Sequence, residues 1–171
     1  MTSKDIREAV AKVTAHLVSH PEEAVSEDSA AKAVLAKGLR FRVEGPRGWV
    51  IETDMPAGLG GGASAPSPGW LRRAAQAACE ATMIAIRAAQ EGVDLDRLEV
   101  AVSSESDDRG MLGVGEPVPA GPLKSSARVT ISARGASADK LREIVEWAEG
   151  HSPVSDALSR AVPHEVTVEM S

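Results

Sequence analysis

The stretch AAQAACEATMIAIRAA, residues 74–89, decides the architecture. Alanine dominates it, proline and glycine are absent, and its polar residues Gln76, Glu80 and Arg87 continue a series begun at Arg73. Spacings of three, four and seven put these four on one narrow stripe of an α-helix. A helix with so thin a polar stripe is expected to be buried nearly all round. It is either the central helix of a domain or part of an intimate dimer interface. The pattern predicts this helix over about 69–91.

Toward the N-terminus the helix is preceded by GLGGGASAPSP (58–68), whose glycines and prolines make it a loop, read as a flexible connection. Before that loop two strands are expected, Leu39–Glu44 and Trp49–Thr53, joined by the turn Gly45-Pro46-Arg47-Gly48. A short helix is predicted over 29–37, stopped by Gly38. Another is predicted over 4–20, with Ile6, Val10, Val13 and Leu17 on one face, Ser3 as its cap and Pro21 beyond its end. Residues 1–37 thus read as a helical N-terminal extension and 38–171 as the main domain.

Toward the C-terminus Leu98–Ser104 alternates as a strand, and 105–125, rich in Gly and Pro, reads as a long connection. A strand at Ala127–Arg134 turns Val129 and Ile131 inward. Ser137 is placed to cap a helix over Ala138–Glu149, closed by Gly150. Ser152-Pro153 suits the start of one more helix, because Ser favours the cap and Pro the first turn. Val166 and Val168 read as a last strand. The class is α+β, and the 171 residues suit one domain.

Aromatic content is 2% and the formal charge is -6. Close helix contacts among Ala, Val, Leu and Ile must therefore fill the core. No basic footprint is present, so nucleic acid is not an expected partner. No apolar run approaches the roughly 20 residues that cross a bilayer, and the charged start MTSKDIREAV has no apolar signal core. The cytoplasm follows by elimination.

Cys79 is the one thiol of the chain, so no two-cysteine cycle can close within it. Two readings of it stand: a small apolar filler, as buried cysteines commonly are, or a nucleophile. A nucleophilic thiolate needs a nearby cation or a helix N-terminus. On the helix itself only Arg72 shares its face, about 10 Å away along the axis. His16 and His20 stand one turn apart, but no third ligand with convincing spacing follows, so no metal or cofactor is expected. GLGGG lacks the pattern of a nucleotide loop, and no GxSxG is present.

Taken in order, the strand pair, GGGASAPSP, the helix WLRRAAQAACEATMIAI and HSPVSDAL at a later helix start resemble the OsmC/Ohr superfamily of hydroperoxide-reducing proteins. The likeness covers roughly residues 39–170. It implies an antiparallel sheet packed on long central helices in an intertwined homodimer. It also implies a chemistry, in which a peroxidatic thiolate reduces a hydroperoxide and a second cysteine resolves the sulfenic acid. Cys79 falls on the first cysteine. The family's Cys-Pro-Val is here Ser152-Pro153-Val154, so an internal resolving thiol is lost while the helix cap is kept. Trp70 stands where members often carry an acidic residue that holds an arginine against the thiolate. The resemblance draws that arginine from the early strands: Arg47 is the leading candidate, with Arg40 and Arg42 as rivals. Two functions remain open. One is a one-cysteine thiol peroxidase using Cys79 and an external thiol. The other is a non-catalytic dimer binding a small apolar ligand in the former peroxide pocket.

Overall fold

The computed structural model describes residues 2–170. Helix α1 (Ser3–Ser19) comes first, followed by strands β1 (Lys32–Lys37), β2 (Arg40–Glu44) and β3 (Val50–Thr53). Then come the long helix α2 (Pro68–Gln90), β4 (Arg97–Glu105), a short α3 (Asp108–Leu112), β5 (Lys124–Ser132), α4 (Ala138–Glu149) and α5 (Pro153–Ser159). The fold is α+β, as the sequence predicts. Strands β1, β2 and β3 form one antiparallel sheet in that order, and β4 and β5 form a two-stranded ribbon.

The chain divides into two compact units. The first comprises the chain up to Glu8, Gln76–Val102 and the residues from Ser125 on; the second comprises Ala9–Ala75 and Ser103–Lys124. In the first unit the core is made by Ile84 and Ala88 of α2 with Ile144 and Ala148 of α4, and Val129 and Ile131 of β5 pack against them. Spacings of four on each helix bring these residues onto facing stripes. Lys140 of α4 reaches Glu91 just past the end of α2 at 3.0 Å, and that hydrogen bond, with Arg87 nearby, holds the Glu91 carboxyl below its ordinary range. Ser137 caps α4 by accepting from the Lys140 N–H.

In the second unit the β1–β2 hairpin turns through Gly38 and Leu39, with Gly38 at φ 59 in the left-handed region that glycine tolerates. Here the structure corrects the sequence reading: 32–37 is a strand, not the end of a helix. Ala33, Val34 and Leu35 pair with Val43, Arg42 and Phe41, and that non-local ladder outweighs the helical preference of the alanines.

Three further differences are local. Thr2, not Ser3, caps α1 in a reciprocal box with Asp5. The connection after β4 is not structureless: Asp107 caps α3 by accepting from the Arg109 N–H. Residues 160–170 form no strand; Val166 and Val168 are exposed, and without a neighbouring strand their alternation has no ladder to join. On α2 the expected all-round burial is not met within one copy. Only Glu80, Ile84, Ala88 and Ala89 are buried, while Ala75, Ala78 and Thr82 are open.

Candidate functional site

Helix α2 starts through a local signal. Ser67 accepts from the Trp70 N–H at 3.3 Å, and Pro68 occupies the first turn, where its missing N–H costs nothing. Three turns further on, Cys79 is a free, half-buried thiol. Its neighbours on the helix form a polar chain within the first unit. Ser125 Oγ donates to Gln76 Oε1 at 3.4 Å, and Gln76 Nε2 donates to Glu80 Oε1 at 3.0 Å. Ser155 Oγ donates to the same Glu80 oxygen at 2.9 Å. The polar stripe read from the sequence therefore faces inward at Glu80.

Ser152 is wholly buried and caps α5 by accepting from the Ser155 N–H at 3.4 Å. The start of α5 is thus held to α2 through Ser155 and Glu80, with no sulfur involved.

The three arginines named from the sequence all lie in the second unit and differ in what they hold. Arg40 pairs with Glu52 across the sheet, which raises its pKa, and Arg42 pairs with Glu44 at 2.9 Å. Arg47 sits in the β2–β3 turn at φ 60 and forms no ion pair with any described residue. Trp70 is half exposed.

The glycine loop cradles an anion, but an internal one. Asp54, 3% exposed at the end of β3, accepts from the N–H groups of Met55, Gly62 and Ser64 and from Ser64 Oγ at 2.7 Å. These bonds, the Ser64 pair foremost, bring its pKa down to about 2. The Asp54 N–H in turn donates to the Pro66 carbonyl. The loop read as a flexible connection is therefore fastened along most of its length. Asp54 and Glu80 both escaped the sequence reading. An Asp closing a strand before a Gly/Ser run was the available signal for the first, and the i, i+4 pair Gln76–Glu80 inside an alanine helix for the second.

Among the described residues no cluster of His, Cys, Asp and Glu could hold a metal. His16 bonds Glu23 at 2.8 Å and stacks on His20 on an exposed face. No helix among the described residues is long and apolar enough to cross a membrane. A shallow apolar groove of about 290 Å³ lies between β5 and α4, lined by Val129, Ile131, Ala138, Leu141, Arg142 and Val145. Cys79 is not part of it.

Sheets with a long thiol-bearing helix and a later helix capped at the Ser-Pro-Val position define the class: small α+β proteins organised around a cysteine helix. The chain belongs to the OsmC family, whose OsmC-like protein model matches residues 60–167. Solved structures agree on the fold. An organic hydroperoxide resistance protein OsmC from Legionella pneumophila is 22% identical, with a TM-score of 0.58 over 79% of this chain and 91% of that one. An OsmC-like protein from Mycoplasma pneumoniae is 16% identical, with a TM-score of 0.65 over 78% and 89%. An OsmC-like protein of unknown function from Vibrio cholerae is 11% identical, with a TM-score of 0.63 over 78% and 95%. No curated protein matches the sequence.

Proposed function

We propose that this chain is a one-cysteine thiol peroxidase acting on organic hydroperoxides in the cytoplasm, with Cys79 as nucleophile and Arg47 as the cation that activates it. The observation that carries the reading is Cys79 itself: a free thiol, partly open, on the helix that the family match spans. In the first step the thiolate attacks one peroxide oxygen, the O–O bond breaks, and the alkoxide leaves and takes up a proton. Cys79 becomes a sulfenic acid. An external thiol then displaces water to form a mixed disulfide, and a second external thiol releases Cys79. The sum is one hydroperoxide and two thiols to one alcohol, one water and one disulfide.

The working unit in this reading is a homodimer of OsmC-like domains, residues 38–171, each carrying residues 1–37, whose β1 completes the domain's first sheet. Support comes from the area the chain leaves open. Its accessible surface is 12594 Å². A compact chain of this mass exposes about 8,000 Å², and even two separate compact halves about 9,600 Å². The excess is more than the roughly 1,000–2,500 Å² per partner that obligate dimers commonly bury, so one chain has area enough for such an interface. Trp49, at 63% exposed, and the open small-residue face of α2 are natural parts of the covered surface. Light scattering at micromolar concentration should return twice the chain mass of 17.8 kDa; a single-chain mass would remove this part of the proposal.

A second reading keeps the dimer and drops the chemistry, with a small apolar ligand in the former peroxide pocket. The full burial of Ser152 as a helix cap favours it, because α5 is locked without a thiol. One experiment separates the two. Cumene hydroperoxide at micromolar concentration should give rapid, saturable dimedone labelling at Cys79, lost in Cys79→Ser. Labelling no faster than that of a free thiol would retire the peroxidase reading in favour of the second.

A further inference from the structure

Helix α1 carries an apolar face that one copy of the chain leaves partly open. Ile6, Val10, Val13 and Leu17 follow at spacings of four, three and four, the a/d spacing of a coiled coil. Ile6 and Val10 are half-buried, whereas every residue from 11 to 20 is exposed, Val13 at 57% and Leu17 at 38%. The charges Lys4, Asp5, Glu8 and Lys12 point away from this stripe, and Lys4 and Glu8 pair in the open at 3.8 Å. A helix of 17 residues, about 25 Å long, draws most of its stability in a protein from packing such a face. In α1 the half beyond Val10 has no cover from the described residues.

The spacing itself points to the occupant. Four, three, four reads the same from either end, so a copy of α1 turned end for end meets its own pattern. We infer that α1 packs antiparallel against α1 of a second copy about a twofold axis, with Ile6 facing Leu17 and Val10 facing Val13 across the seam. Each contact then joins a residue that its own chain half covers to one that it leaves open. A parallel pair would set open residues against open residues and align the two helix dipoles. Beside the antiparallel seam Arg7 comes next to Thr14, and Ala9 next to His16, so no like charges meet. The contact is isologous, as a closed pair requires. Helix α1 lies outside residues 60–167, so this contact belongs to this chain and not to the family match. It rests on the homodimer of the proposed function and is independent of any chemistry at Cys79.

The test is oxidative cross-linking of the full-length chain in a Cys79→Ser background, read as a two-chain band on a non-reducing gel. Ile6→Cys and Leu17→Cys chains, co-expressed with different tags, should cross-link to each other. Leu17→Cys alone should not, because its two copies lie about 16 Å apart along the antiparallel seam. A Leu17→Cys self-link means a parallel pair, and no mixed link means no pair; either overturns the inference. Leu17→Asp gives a second reading without engineered cysteines, at a position already open in the single copy. A charge buried in the seam should raise the dimer dissociation constant by at least about tenfold in sedimentation equilibrium, and an unchanged constant overturns the inference equally. Light scattering of the same samples keeps the two proposals apart. A two-chain mass without the mixed link removes the helix pair and keeps the homodimer; a single-chain mass removes both.

Discussion

Asp54 and Glu80 are both carboxylates taken out of water, one in each unit, and their surroundings answer the charge in opposite ways. Asp54 is enclosed by its own loop, with donors on both oxygens from residues no more than ten positions away. Glu80 is met by side chains from α2 and α5 on one oxygen and by nothing described on the other. The first acid is complete within the chain and shapes the approach to α2. The second ties α2 to α5 through Ser155 and follows Cys79 in the chain. The first carboxylate organises its own loop; the second joins two helices that are distant in sequence.

The sharpest way to break the comparison is at Gly61. A Cβ there would lie 1.9 Å from the Met55 carbonyl oxygen, a backbone atom that cannot step aside while Ala63 donates to it at 3.0 Å. Gly61→Ala should dismantle the Asp54 cradle and lower Tm by more than about 10 °C, read by calorimetry. Asp54→Asn comes next. It keeps the volume but turns an acceptor oxygen into a donor facing N–H groups, so Tm should fall by roughly 5–10 °C. At Glu80 the matching cut is smaller. Ser155→Ala removes one donor of two and should lower Tm by roughly 2–4 °C, with the α5 amides losing more exchange protection than those of α4. Least in size is the acid titration. The Asp54 pKa is depressed from 3.8 to about 2, so its contribution is fully present above about pH 5 and is lost as pH falls through 2. Asp54→Asn should flatten that limb of the stability curve; an unaltered limb would show that the cradle contributes nothing to acid stability.

Local signals were the legible part of this fold. Ser137, Ser152-Pro153 and Gly150 mark α4 and α5 because a cap is a contact within one turn. The alanine helix and the β2–β3 pair are equally plain from period and turn. What the residues leave open depends on partners distant in sequence. Lys32–Lys37 becomes a strand because β2 lies beside it, and 160–170 does not because nothing described does. At the candidate site, Cys79 and the Ser152-Pro153-Val154 helix start are visible from the order of motifs. The cradle of Asp54 and the burial of Glu80 are tertiary facts, since no spacing states which acid will be covered.

The area that a single copy leaves open has a consequence in mass action. Among the described residues few apolar side chains are fully buried, with Ile84 and Ile144 the only large ones. Stability that is completed by association belongs to the pair and not to the chain, so it scales with the logarithm of protein concentration. Each tenfold dilution takes away about 1.4 kcal/mol from such a pair. On the homodimer proposed above, low abundance acts as a denaturant.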